Sequence, residues 1–583
     1  MKNLLGIVAI IFLVSCGPTR FNKSAIEEIP FLLETNRSAT FQETRAFYKS
    51  LDKASSFVQT SDFGMTDAGH PLQEVIIDFD RDFDVEKSRK KGKLVLFVNN
   101  GIHAGEPCGV DASMLFASEI LREKSFTPLM ENVVVVIVPL YNIGGAINRN
   151  SFTRANQNGP KSHGFRGNAK NLDLNRDFIK CDSKNAQSMN QLFSKWMPDV
   201  FIDTHTSNGA DYQHIITLIA TQKDKLAPPQ GLYLDLEFLP KIYSLMKEDG
   251  YDMSPYVFSI GRTPDEKGIA AFPDLPRYSS GYAALHHALS FMPETHMLKT
   301  FEERVRSTET LLIRMLEVSS QNAERILSVK KEAMDYYKNL NEVPLQWSRD
   351  NSSSKPINFK GYESSVIKSK VTDGDRLYYD REKPFTKEIP LFNDFEASGK
   401  VESPKAYIIP QAYTEVIDRL QWNGVEMERL EADQAFEVEM YYVDSHDTRN
   451  VAYESHYLHR NTKLRTIYRE QQYFAGDYLI KVGQAQKRFL METLEPSAPD
   501  SYFNWNFFDG ILMQKEHFSP YVFEDIAEDI LRKDPELRRR IEEKKEQDAD
   551  FAKNSYAQLD FIYKNSRHYE YTHNLYPVGR LMK

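Results

Sequence analysis

An imidazole and a carboxylate stand three positions apart at His103 and Glu106, within Asn99-Asn100-Gly101-Ile102-His103-Ala104-Gly105-Glu106. A histidine and a glutamate so spaced can bind one Zn²⁺ from a single turn of chain. Three later stretches also hold residues fit for chemistry: Asn171-Leu-Asp173-Leu-Asn175-Arg176-Asp177-Phe178, Asp203-Thr-His205 and Pro293-Glu294-Thr-His296. Taken singly, each has a plain structural use. His205 would be a hydrogen-bonded core histidine, Glu294 a carboxylate facing a helix N-terminus, and Asp173 with Arg176 a surface ion pair. No chemical role is assigned to His214, His286, His287 or His296.

The elements that must position these groups can be read from the apolar pattern. Leu94 to Val98 is a continuous apolar run ended by Asn-Asn-Gly, the pattern of a buried strand with a loop at its carboxyl end. Ligands of open α/β sheets gather at that edge. Val110 to Arg122 has helical spacing, and Val133 to Val138 is apolar and β-branched, which completes a β-α-β unit. Residues 142–171 read as loop, Asp199 to Asp203 as a third strand ending at Thr204-His205-Thr206, and Ala283 to Met292 as an apolar segment stopping at Pro293. Leu298 to about Leu340 is helical. The alternation predicts an α/β fold with a mixed, mostly parallel sheet and helices on both faces.

In order and separation, the four stretches resemble the zinc carboxypeptidase family, enzymes similar to carboxypeptidase A, over roughly residues 90–310. The resemblance implies that His103, Glu106 and His205 hold one zinc per chain, leaving an open position as a catalytic site requires. It implies that Asp173 hydrogen-bonds the first histidine, and that Asn175 and Arg176 receive the terminal carboxylate of a peptide or peptide-like substrate. Glu294 matches the general base that takes a proton from the attacking water and gives it to the leaving amine. For the arginine that polarises the scissile carbonyl, Arg154 is the choice and Arg166 the rival. For a mobile tyrosine, Tyr278 and Tyr282 are the candidates, with Tyr278 preferred. Two departures stand out: Asn142-Ile143-Gly144-Gly145 replaces the family's Asn-Pro-Asp-Gly, and Asp177 adds negative charge beside the carboxylate receptor.

With 583 residues the chain is too long for one core, and its net charge of −10 argues against a nucleic-acid partner. Lys2 and the apolar run Leu4 to Val14 fit a signal segment too short to span a bilayer. Leu13-Val14-Ser15-Cys16-Gly17 resembles a bacterial lipobox, which implies lipidation of Cys16 and a membrane-anchored address in the bacterial cell envelope. Cys108 and Cys181 then remain; they are read as structural thiols, with their pairing left open. The expected division is a signal peptide (1–15), a tether (16–45), a catalytic domain ending in helices (46–345) and a β-rich accessory domain with a charged helical segment (350–583). Asp534-Pro535 in that segment marks a helix start, so two helices are expected there rather than one. The functional expectation is a zinc metallopeptidase of carboxypeptidase type. The alternatives are a zinc amidase, deacylase or peptidoglycan stem-peptide hydrolase, and a non-catalytic protein binding an envelope polymer.

Overall fold

The computed structural model describes residues 33–582. The signal-like segment and Cys16 lie outside the described residues. Two compact units make up the chain.

The first unit is built on an eight-stranded sheet of β1 (Val58–Phe63), β2 (Leu72–Ile77), β3 (Leu94–Asn100), β4 (Val133–Val138), β5 (Val200–Ser207), β6 (Ile216–Ala220), β7 (Ser254–Pro255), β8 being excluded from it (Ile269–Ala270), and β9 (Leu289–His296). Its strand order is β1-β2-β4-β3-β5-β9-β6-β7. The central strands β4, β3, β5 and β9 are parallel, and β2 and β6 run antiparallel against their flanks. Strands β3, β4, β5 and β9 are buried along their whole length, which is why β3 and β4 read as near-continuous apolar runs instead of alternating ones.

Helices cover both faces. Phe97 and Phe201 are register partners, and both rings meet Phe193 of the helix Lys184–Trp196. On the other face Gly109, in the helix Cys108–Arg122, lies so close to Thr204 that a Cβ there would sit within 2.3 Å of the threonine Cβ. Because side chains alternate, Phe201, Asp203 and His205 share one face. Strand β5 therefore delivers His205 from the same row that anchors the Phe193 cluster.

The apolar segment before Glu294 differs from its expected form. Ser279–Leu285 is a short helix, and β9 begins at Leu289 and runs through Pro293 and Glu294 to His296. Proline cannot donate to a ladder. The β5–β9 pairing accordingly skips Asp203 and Thr204 while keeping its register, with Ile202 opposite Phe291 and His205 opposite Glu294.

The domain boundary also falls elsewhere than expected. Residues 347–397 and 422–424 belong with the first unit. The antiparallel hairpin Lys355–Lys368 and Asp375–Phe392 pairs with β8 through Leu391 and Phe392, and Tyr212, Ile269, Phe359, Ile389 and Leu391 form a shared core. Gln213 Nε2 donates to the carbonyls of Gly361 (2.7 Å) and Phe385 (2.8 Å).

The second unit carries a six-stranded antiparallel sheet that includes the long pair Gln434–Thr448 and His459–Tyr473. Four helices follow, from Pro520–Lys533 to Ser555–Lys564, around Phe523, Leu537, Ile541 and Tyr563. Asp534 caps the second of them by accepting from the Leu537 amide at 2.9 Å, with Pro535 at the first helical position. No helix among the described residues is long and apolar enough to cross a membrane.

Candidate metal centre

The loop leaving β3 turns tightly, the Glu106 amide donating to the His103 carbonyl at 2.8 Å. Asn142 fixes it from the side: its amide nitrogen donates to the carbonyls of Ile102 (3.1 Å) and Arg166 (2.9 Å), and its oxygen accepts from Gly145. The turn that departs from the family pattern thus still clamps two loops of the site. Gly105 is required for closeness: a Cβ there would lie 2.6 Å from Arg154 Cδ and 3.0 Å from the Gly164 carbonyl oxygen.

His103, Glu106 and His205 are all buried, and their donor atoms cluster within 4.8 Å of one another. The two Nδ1 atoms stand 3.2 Å apart; Glu106 places Oε1 3.2 Å from His103 Nδ1 and Oε2 3.2 Å from His205 Nδ1. Donors held about 2.0–2.1 Å from one tetrahedral centre stand about 3.3 Å apart, so the set fits zinc in both chemistry and spacing. Each ring's far nitrogen has a carboxylate partner: His103 Nε2 donates to Asp173 Oδ1 at 3.0 Å and His205 Nε2 to Asp203 Oδ2 at 2.8 Å. Such partners fix the tautomer that leaves Nδ1 for a metal. Asp203 is in turn held by Ser279 Oγ at 2.5 Å and Asn99 Nδ2 at 3.2 Å. The Asp203-Thr-His205 spacing was the one sequence signal for this second support: alternation puts the two side chains on one face.

The electrostatics follow from these pairings. Burial opposes the Glu106 charge, yet His103 and Arg154 beside it hold its carboxyl well below the usual range. Burial likewise opposes a charged His205, but Asp203 holds its pKa well above the usual value. Asp173 is half-buried, and against that partial burial His103 and Arg166 keep it ionised. Glu294 behaves in the opposite way. Burial pushes it up to about 7, with Glu106 adding repulsion against the pull of His205.

Around this centre lies a cleft of about 500 Å³ whose lining includes His103, Glu106, Arg154, Arg166, Asn175, Arg176, His205, Tyr278 and Glu294. Asn175 lines the cleft, and its Oδ1 accepts from the Ser279 amide at 2.9 Å. The Arg176 guanidinium lies 4.5 Å over the Tyr278 ring and donates to the Asn175 carbonyl at 2.8 Å. Arg154 Nη1 donates to Glu106 Oε1 at 2.9 Å, while its Nε donates to Gln157 at 2.6 Å. Arg166 is bound to Asp173 Oδ2 through Nε (3.0 Å) and Nη2 (2.8 Å). Both arginines therefore reach the cleft, as do both members of the Asn-Arg pair.

Two readings are corrected. Tyr282 is fully buried, its hydroxyl donating to Asn423 Oδ1 at 2.7 Å, so Tyr278 alone of the two tyrosines lines the cleft. Asp177 does not charge the carboxylate receptor. It is buried against Lys180 Nζ at 2.6 Å and accepts from the amides of Asp182 and Ser183, away from the cleft. Cys108 and Cys181 are unbridged, and the Cys108 thiol sits against Thr206 Oγ1 and Thr295 Oγ1 beneath the strands. Sequence reasoning gave no role to Asp203, Gln157 or Asn142, nor to Ile219, Tyr256, Phe272 and Met292, which also line the cleft.

The zinc carboxypeptidase family, Peptidase_M14, matches residues 44–212, a span containing His103, Glu106, Asp173, Asn175, Arg176 and His205. Carboxypeptidase 2 of Trichophyton rubrum is 21% identical over 433 residues, covering 70% of this chain and 73% of its own. Over residues 44–212, and along most of its length at low identity, the chain is similar to zinc carboxypeptidases. Carboxypeptidase 2 of Trichophyton tonsurans is 20% identical over 425 residues, with the same coverage of 70% and 73%. Among solved structures, a metallo-carboxypeptidase from Pseudomonas aeruginosa aligns with 13% identity and a TM-score of 0.37, over 50% of this chain and 71% of that one. One from Burkholderia cenocepacia aligns with 14% identity and a TM-score of 0.38, over 49% and 71%. The match over residues 44–212 and the relatives named carboxypeptidase support a peptide-bond hydrolase of the zinc-dependent carboxypeptidase type.

Proposed function

We propose that the chain is a lipid-anchored carboxypeptidase of the bacterial cell envelope, holding one zinc at His103, Glu106 and His205 and removing residues from peptides with a free C-terminus. The observation that carries this reading is the convergence, in one cleft, of the His-Glu-His donor set, the buried Glu294 and the Asn175–Arg176 pair.

Zinc held by these residues supplies Lewis-acid polarisation of the scissile carbonyl. Asp173 and Asp203 orient the two imidazoles. Arg176, its guanidinium set over Tyr278, and the Asn175 NH₂ group receive the substrate's terminal carboxylate, a fork-shaped match that fixes the register of the peptide. Glu294 takes a proton from the attacking water on a carboxylate oxygen and delivers it to the leaving nitrogen. Its raised pKa suits both halves of that transfer. Arg154, which lines the cleft beside Glu106, stabilises the developing oxyanion, and Arg166, which holds Asp173, is the rival for that role. Lys2, the apolar run before Cys16 and Cys16 itself support the envelope address.

The test is hydrolysis of N-blocked dipeptides with free and amidated C-termini by protein lacking residues 1–16, with and without chelator. Cleavage of the free acids alone, lost with chelator and regained with zinc, is expected. Equal cleavage of the amides would overturn the carboxylate-receptor assignment and favour an amidase. Glu294→Gln should keep its zinc and lose turnover by at least 10³-fold, on the order of what a general acid–base group supplies. Wild-type turnover in that variant would remove Glu294 from the mechanism. Palmitate labelling of the full chain in a bacterial host, abolished by Cys16→Ser, tests the anchor.

A further inference from the structure

Beyond the residues that hold the reacting bond, the cleft has an apolar end. Glu294 and Met292 point to the same face of β9, and Met292 stands opposite Ile219 of β6 in the register. Tyr256 closes the row: it follows β7, and its amide donates to the Leu218 carbonyl at 3.1 Å. Phe272 comes from the segment after β8 and packs its ring edge-on against Tyr278, centroids 4.8 Å apart. Tyr278 itself lies under the Arg176 guanidinium. An unbroken set of contacts thus runs from the carboxylate receptor to Phe272.

Behind these rings is a second cavity of about 330 Å³, walled by Leu218, Leu234, Leu239, Pro240, Tyr243 and Leu391 among others. It shares Ile219, Tyr256 and Phe272 with the cleft. The three side chains are therefore a partition between two spaces, and a partition of two aromatic rings and one aliphatic chain carries no charge to greet a lysine, arginine or glutamate.

We infer that Tyr256 and Phe272 are specificity-determining residues: they admit an apolar C-terminal side chain against Ile219 and Met292 and set its maximum length by closing off the second cavity. The inference rests on the carboxypeptidase reading, since it is the held carboxylate that aims the terminal side chain at this wall. The reach of the substrate is limited by two rings on separate segments, so removing either one joins the spaces. Each methylene then carried into the joined cavity is worth about fourfold in kcat/KM.

The experiment compares zinc-loaded wild type, Tyr256→Ala, Phe272→Ala and Phe272→Ala/Leu239→Trp on N-blocked dipeptides ending in leucine, phenylalanine, 4-phenylphenylalanine, lysine and glutamate. Wild type should favour leucine and phenylalanine over lysine and glutamate by at least tenfold and process 4-phenylphenylalanine poorly. Each single alanine variant should raise the kcat/KM ratio of 4-phenylphenylalanine to leucine by at least tenfold. Filling the second cavity with Trp at position 239 should return that ratio to within about threefold of wild type, since the added ring takes up the freed apolar area. Phe272→Leu and Tyr256→Leu, which keep more of the packing, should show the same change in smaller degree if an alanine variant does not fold. Wild-type cleavage of leucine and phenylalanine substrates with an unmoved ratio in all variants would overturn the inference alone. No cleavage of any substrate by zinc-loaded wild type would remove the carboxypeptidase reading and the inference with it.

Discussion

At the scale of single residues, the two arginines separate by what each already holds. Arg166 grips Asp173, which holds His103, and its Nη1 also stands 3.3 Å from His103 Nδ1, so Arg166 supports that ligand both through Asp173 and directly. Arg154 reaches Glu106 and the cleft directly. Arg154→Ala is expected to lower kcat by about 10²-fold, the size of one lost oxyanion donor, with zinc content unchanged. Arg166→Ala and Asp203→Ala are expected to weaken zinc affinity 10- to 100-fold, as loss of a ligand's supporting partner does. Competition with a fluorescent zinc chelator beside steady-state kinetics distinguishes the two classes. Loss of zinc in Arg154→Ala with none in Arg166→Ala would exchange their roles. The candidate donor residues could be named from the sequence only through the family resemblance, which joins the His103–Glu106 pair to the distant His205; metal chemistry suits the spacing of the pair alone. Asp203, Gln157 and Asn142 were not assigned, because a supporting hydrogen bond needs only a polar group of the right reach, and many residues supply one.

At the scale of elements, β3, β4 and β5 could be read from uninterrupted apolar runs, and the loop after β3 from its Asn-Asn-Gly. The last strand could not. Leu289 to His296 contains a proline and a glutamate, both poor strand residues, and only the surrounding strands compel its extended form. The short helix before it, Ser279–Leu285, ends at His286, which is buried against Phe193 and Tyr282. Burial lowers the His286 pKa to about 3. The native state thus keeps this ring neutral while the unfolded chain protonates it near pH 6.5. Its contribution is fully present above that value and is lost as pH falls from about 6.5 toward 3, amounting to about 2 kcal/mol at pH 5. Urea unfolding at pH 8 and pH 5 measures this. His286→Phe should shrink the difference by that amount, and an unchanged difference would place the acid sensitivity elsewhere.

At the scale of the whole molecule, two units with separate cores should melt as two transitions, because a single cooperative transition is not the rule for multi-domain chains. The proposed zinc ligands His103, Glu106 and His205 all lie in the first unit. Free zinc at 100 times its dissociation constant should stabilise that unit by about 2.7 kcal/mol. Calorimetry with zinc and with chelator is expected to shift one transition and leave the other in place; equal shifts of both would contradict it. The composition of the units was the least legible feature. A polar Asn-Ser-Ser-Ser stretch near residue 352 looks like a linker, and nothing local reveals that the hairpin beyond it pairs with a strand more than a hundred residues earlier.

That pairing decides how the gene can be cut. A fragment stopped at the serine-rich stretch would leave Tyr212, Ile269 and Val257 facing water where Phe359, Ile389 and Leu391 had covered them. Such a fragment should aggregate on expression, whereas one carried through residue 397 keeps the apolar cover that its own sheet requires.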